Sequence, residues 1–566
     1  MTGLKLSKVL TVLSICAVFT GCIETPWDSL ELNRYREKNG EQKNMGQVRF
    51  IYDSLNSLSL AGLMSTNILP LKVYGTALLL ADEQTSREKL DGSYLPKVMQ
   101  KYGFIRAEKI VNWRSDLAVE PQLDGSKTLG FVRQNIEANI LGKRLGLEVA
   151  NITCAACHGG VTYDAQGMPT RNVWLGAPNS SLNFDGFLGK IYQGLIIALK
   201  DEAKFLKKMK EAYPQMDDLE YKTISKDLMP IIRKEIGKMA AASGKVLPFP
   251  NGGAGITNGV SAFKRDANLL SKEQKYNFNP HEAGFVSIPD ISYRGFRSSL
   301  TYDGAYGIKG TERFRTVEKE QAYNPGYGAK LAELASFFTF SAMGNTMGNA
   351  EKAIPRVKEI FSVLQQNRAP KYPAMIDEDK ALRGSQVFAE SCSKCHGTYS
   401  AGINNPELLS FPNKFMPSDV IGTDPLRWQK VDKSISDYSQ KTALGKHVDA
   451  GHSMGGYVAP ILSGLWYTAP YLHNGSVPTL WQLMNPELRP SKFQLGGHAL
   501  DMQDLGIRGE INEDGKYVYP QDYTPWSLPT DYDTSEPGRS NKGHEKQFSR
   551  LTQEQKRDLI EYLKLL

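Results

Sequence analysis

Cys392-Ser393-Lys394-Cys395-His396 decides the reading of this chain, and Cys154-Ala155-Ala156-Cys157-His158 repeats it. The spacing C-x-x-C-H is the attachment signature of c-type haem. Two thiols three residues apart on one helical turn reach the two vinyl groups of a single porphyrin. The adjoining histidine is then placed to bind the iron. A Cys₄ zinc site would need a further Cys or His pair at ligand spacing, and neither copy has one. A pair of redox dithiols is the other reading of the same letters. The motifs point to two covalently bound c-type haems, with Cys154, Cys157, Cys392 and Cys395 as attachment points and His158 and His396 on the irons.

Six cysteines are present, and the two outside the motifs, Cys16 and Cys22, lie at the N-terminus. There Lys5 and Lys8 precede an apolar run from Val9 to Phe19 and then Phe19-Thr20-Gly21-Cys22. A charged start before a short apolar segment reads as a signal peptide, too short to span a bilayer permanently. Small residues before a cysteine match a bacterial lipoprotein box, although Leu is commoner than Phe at its first position. The expectation is a leader over 1–22 with Cys22 lipidated as the first mature residue; the alternative is ordinary cleavage leaving a free thiol. The protein is then expected in the periplasm or elsewhere outside the cytoplasm, attached to a membrane by lipid alone, because no later stretch approaches 18 apolar residues.

The chain has 566 residues, 41% hydrophobic and 23% charged, ordinary values for a globular protein with more than one core. Its formal charge is +7 with no basic run, so no nucleic-acid partner is read from it.

Residues 23–125 carry no ligand signal. Thr128–Gly146 places Leu129, Val132, Ile136, Ile140, Leu141 and Leu145 on a helical stripe leading to the first motif. A glycine- and asparagine-rich stretch follows His158, and Asp185 is the expected cap of a helix over Gly186–Ala212. A further helix is expected near Leu219–Ala241, interrupted at Pro230. Asp377 should cap a helix leading to Cys392. Thr552 with Gln555 forms a capping-box pattern for a terminal helix. Gly384 and Phe388 against Leu559 and Tyr562 fit a close crossing of those two helices. The predicted class is mainly α: two cytochrome c-like haem domains (126–370 and 371–566) with long loops, helical insertions and little β.

Besides the two motif histidines, the chain has His281, His447, His452, His473, His498 and His544. His544 stands eight residues before Thr552, where a distal ligand just ahead of the last helix would come from. It is the expected sixth ligand of the second haem. A haem held by two histidines is low-spin and suits electron transfer. The first haem has only weaker candidates, Met168 before Pro169 and His281. That leaves its iron open to oxygen or peroxide.

Ala469-Pro470-Tyr471-Leu472-His473-Asn474-Gly475-Ser476-Val477-Pro478-Thr479-Leu480 closely resembles the signature of bacterial dihaem cytochrome c peroxidases, shared by the methylamine-utilisation dihaem enzymes. With Arg489-Pro490 and Phe493 after it, the form looks most like the dihaem rubber-oxygenase branch. Ile421-Gly422-Thr423-Asp424-Pro425, Asn541-Lys542-Gly543-His544, Thr153–Gly159 and Gly176-Ala177-Pro178-Asn179 fit that branch too. The resemblance spans roughly 126–566. It implies that His544 is the distal ligand of an electron-transfer haem and that His473 is a supporting residue rather than a ligand. It also implies a Trp-Asp-Gly turn between the haems; the matching stretch here is Tyr302-Asp303-Gly304, so a tyrosine stands where the family has its tryptophan. Glu312, Arg313 and Phe314 are nearby candidates for the distal side of the first haem, or structural residues. Calcium between the domains is a further implication.

The expected activity is that of an exported haem-dependent oxidoreductase of the peroxidase type. It would reduce hydrogen peroxide at the first haem with electrons from a small periplasmic cytochrome c or cupredoxin, relayed by the second haem. The alternatives are a dioxygenase cleaving an apolar organic substrate with O₂, and a non-catalytic electron-transfer cytochrome.

Overall fold

A computed structural model describes residues 28–56, 69–140, 143–243, 250–270, 283–343 and 345–566. The expected leader over 1–22 and its Cys22 lie outside these residues, as does His281.

The segment before the first motif is a β-hairpin, not a helix. Phe131–Ile140 pairs antiparallel with Lys143–Ile152, from Phe131↔Ile152 to Ile140↔Lys143. The apolar spacing misleads because four is both one helical turn and two strand repeats: Val132 and Ile136 share a face either way. Gln134 resolves the matter, buried between Val132 and Ile136 while Asn135 and Glu137 are exposed. Gly130 (φ +69°) leads into the hairpin, and a Cβ there would stand 2.2 Å from the Ala156 nitrogen. The turn Cys154–His158 therefore packs on bare backbone.

After His158 the strands Gly159–Tyr163 and Pro169–Leu175 form a second hairpin. The expected helix over Gly186–Ala212 is two helices, Phe184–Lys200 and Glu202–Ala212. Asn183, rather than Asp185, caps the first, accepting from the Gly186 nitrogen at 2.8 Å. Asp201 ends it and caps the second through the Lys204 nitrogen. In the next segment the break is a π-helical stretch, Thr223–Leu228, before Met229–Ser243. Pro230 directly follows that stretch in a run that is helical without a gap from Asp218 to Ser243, and the widened π turn accommodates a residue with no N–H to donate.

The helix Glu378–Ser391 crosses the terminal helix Gln553–Leu563 as expected. Asp377 caps the first through the Lys380 nitrogen, and Thr552 and Gln555 close a reciprocal capping box on the second. At the crossing, a Cβ on Gly384 would lie 2.0 Å from the Asp558 carbonyl oxygen. The Phe388 and Tyr562 rings meet at 5.4 Å, and Arg383 makes a two-pronged ion pair to Asp558 at 2.8 and 2.9 Å.

The class is not mainly α with little β: 41% of the structure is helix and 16% strand. The strands make eight small sheets of two to four strands among the described residues. The largest joins Lys492–Leu495, Glu510–Ile511, Tyr517–Val518 and Thr530–Asp533 within the long excursion before His544. Stretches this rich in Gly and Pro cannot sustain helices, so their buried apolar residues pair as short strands. One apolar core runs from Phe50 to Leu566 and takes in the surroundings of both motifs. No helix among the described residues is long and apolar enough to cross a membrane.

Candidate haem sites

The two motifs are built alike. In each, the histidine ring turns its Nδ1 to a proline carbonyl from a distant segment. His158 Nδ1 lies 3.2 Å from Pro289 O, and His396 Nδ1 lies 2.8 Å from Pro460 O. An imidazole held through Nδ1–H presents Nε2 as a fixed lone pair, the arrangement that orients metal-bound histidines. Burial keeps both rings neutral, pushing His158 down to about 4 and His396 below its ordinary value. The four motif cysteines form no disulfide. Burial pushes the Cys154, Cys157 and Cys392 thiols up to about 12.

His544 faces His396. Their ring centres are 6.3 Å apart, with planes 30° from parallel. Two metal–imidazole bonds of about 2.0 Å, plus about 1.1 Å from each nitrogen to its ring centre, need about 6.2 Å. The pair therefore fits one iron between two histidines. His544 itself has φ +68°, a left-handed conformation rare outside glycine. The loop carrying it is gripped on two sides. His544 N donates to Ile421 O at 2.9 Å, and Ser540 N donates to Asp424 at 3.1 Å. Arg489, its side chain 3% exposed, donates to Asn541 O, Gly543 O and Glu545 at 2.6 to 2.9 Å.

Tyr302 joins the two sites. Its hydroxyl is 2.9 Å from Ser287 Oγ, two residues before Pro289. Its carbonyl accepts from Val458 N at 2.7 Å, two residues before Pro460. The tyrosine thus touches both segments that orient the motif histidines. The turn is locked beneath it by Asp303, buried and ion-paired with Arg427 at 2.9 Å. His473 lies alongside, stacked on Tyr457 at 4.2 Å, edge-on to Tyr302 at 6.3 Å, with Nδ1 3.3 Å from Thr423 Oγ1. It stands within the ring of residues supporting Tyr302 and the His544 loop.

Other candidates fall elsewhere. Met168 closes the turn between the two strands after His158, its N and O both bonded to Asp164. Phe314 stacks on Phe415 at 5.0 Å, next to Met416, whose sulfur is 3.9 Å from Cys395. That places it by the second motif, not the first. Arg313 pairs with Asp449 at 2.7 Å. Among the described residues no cluster of three or more His, Cys, Asp or Glu is arranged to hold a free metal ion. The orienting carbonyls of Pro289 and Pro460 were not legible in the sequence, since any residue can supply a carbonyl.

The geometry of the second motif has room for an iron between two histidines, and comparison with known proteins supports a haem cytochrome. A family described as RoxA-like, cytochrome c-like matches residues 456–494, the stretch holding Pro460, His473 and Arg489. The match supports a haem cytochrome with oxidoreductase chemistry. The chain is also similar to two uncharacterized proteins of Sinorhizobium fredii. It is 28% identical to y4iM over 34% of this chain and 50% of the relative, and 28% identical to y4iJ over 35% and 41%. It spans half or less of the length of these relatives.

Proposed function

We propose that the chain is an exported, lipid-anchored dihaem c-type cytochrome in which the first haem reacts with peroxide and the second stores and relays an electron. The ligation of the second motif carries the reading: His396 has His544 opposite it at haem-spanning distance, whereas among the described residues, which leave out His281, no ring contact joins His158 to another histidine. Cys154, Cys157 and His158 would hold the first haem, and Cys392, Cys395, His396 and His544 the second. The haem iron supplies the redox chemistry when bound, and the protein supplies ligation, orientation and exclusion of water. Pro289 and Pro460 fix the ring orientation of the two histidines. Arg489 holds His544 in reach. Tyr302 provides the short covalent and hydrogen-bonded connection between the sites. Electrons would enter from a small periplasmic cytochrome c or cupredoxin.

A second reading, activation of O₂ against an apolar organic substrate, is favoured by the RoxA-like match at 456–494. Oxygen uptake without an added electron donor would single it out; donor-dependent peroxide consumption supports the first. In either case His158→Ala should abolish turnover while the second haem keeps its low-spin spectrum. Undiminished turnover in that variant would remove the first haem from the mechanism.

A further inference from the structure

Buried Tyr467 and half-buried Asp290 form a phenol–carboxylate pair that nothing above uses. The Tyr467 hydroxyl donates to the Asp290 carboxylate, and Tyr467 is 3% exposed. Asp290 directly follows Pro289, whose carbonyl orients His158. On its other side the Tyr467 ring meets Trp466 edge-on, 5.3 Å between centres. Trp466, fully buried and donating to Pro370 O at 2.9 Å, meets Tyr372 edge-on at 5.8 Å. Tyr372 is half-buried at the surface, its hydroxyl donating to Met502 O and the Lys564 ammonium over its ring. Three aromatic rings in contact thus run from beside the first motif to solvent.

We propose that Tyr467, with Asp290 as its proton acceptor, is a one-electron redox residue of the first haem site, and that Trp466 and Tyr372 carry the electron between it and the surface. The inference rests on the haem reading of Cys154–His158. A phenol that loses an electron also loses its proton, so a redox tyrosine needs a base at bonding distance. Tyr302 has the Ser287 hydroxyl, which is no base. Tyr467 has a carboxylate, and burial lifts Asp290 to about 6, more basic than an ordinary carboxylate yet ionised at neutral pH. The step balances as follows. Hydrogen peroxide takes up two electrons and two protons to become two molecules of water; with a haem held at Cys154–His158, Tyr467 would supply one of those electrons and the second haem the other, the phenolic O–H bond would break, and its proton would move to Asp290. An electron arriving through Tyr372 and Trp466 from a one-electron donor restores the phenol as Asp290 returns the proton.

The test is EPR of the full-length holoprotein, made with ring-deuterated tyrosine, frozen after mixing with hydrogen peroxide. The expected result is a radical signal narrowed by deuteration, lost in Tyr467→Phe and in Asp290→Asn and kept in Tyr302→Phe, each variant loading two haems. A signal that persists in Tyr467→Phe, or that is lost only in Tyr302→Phe, overturns the proposal. So does a wild type that reacts with peroxide without a tyrosine signal. A wild type with fewer than two haems, or with a first haem unmoved by peroxide, instead overturns the haem reading and this proposal with it. Tyr372→Phe, at the surface, should slow reduction of the radical by ferrocyanide; unchanged decay in that variant overturns the route to solvent.

Discussion

His544 is held where an unconstrained histidine would not stay. Its left-handed backbone costs of order 1 kcal/mol or more, and the surrounding bonds must supply that. Arg489 is the main clamp, with donors on both sides of the histidine. Arg489→Ala leaves two loop carbonyls without their donor, each worth about 1–3 kcal/mol if buried. The expected outcome is partial loss of the second haem's low-spin spectrum, checked by optical spectroscopy and EPR. A fully low-spin second haem in this variant would mean that the loop holds itself. The sequence points to His544 by its place ahead of the last helix and to Arg489 only through the family resemblance. What it could not see was the carbonyl partners, because backbone atoms carry no residue signature. His498 shows a different residue-scale effect. It is fully buried with neither ring nitrogen bonded, and burial lowers it to about 4. Its unfolded value is about 6.5, so between those values the unfolded chain binds more protons than the folded one. Stability is therefore full above about pH 6.5 and falls as pH falls toward about 4, by about 3 kcal/mol. His473, lowered to about 3, acts with the same sign. The urea midpoint should drop between neutral pH and about pH 4.5, and drop less in His498→Gln; equal slopes would remove His498 as the cause.

Among the elements, the crossing of Glu378–Ser391 with Gln553–Leu563 was the most legible in the sequence, because caps and a close-approach glycine leave signatures at fixed spacing. Gly384→Ala sets a methyl against the Asp558 carbonyl, backbone that cannot step aside. Overpacking of that kind costs about 1–3 kcal/mol. Thermal unfolding of the holoprotein should shift down accordingly, whereas Gly348→Ala, on the helix Met347–Leu364 with open space around its Cβ and no left-handed φ, should not lower it. Equal shifts would show that the helices do not rely on the close approach. The strand pair Phe131–Ile140 and Lys143–Ile152 was the least legible. Apolar residues four apart serve both periods, and the deciding residue, Gln134, is polar yet buried. The Gly- and Pro-rich excursion between the signature and His544 reads locally as loop. Its longest strand pairing joins segments distant in the chain, Lys492–Leu495 with Thr530–Asp533, which no local pattern announces.

At the scale of the whole molecule the two motifs, 238 residues apart by their histidine numbers, His158 and His396, are served by one continuous core. Segments near each motif reach across to the other: Tyr302 to Val458, Arg297 to Ala459, and Asp303 to Arg427. Rigid positioning of this kind suits electron transfer between two fixed centres, and the proposed function requires one of them to have both axial positions filled and the other to have one open. Low-temperature EPR of the oxidised, full-length holoprotein tests that asymmetry most directly. One high-spin signal beside one low-spin signal, the low-spin one lost in His544→Ala, is the predicted result. Two low-spin signals, both unmoved by peroxide or by half-reduction, would contradict it and make the protein an electron carrier.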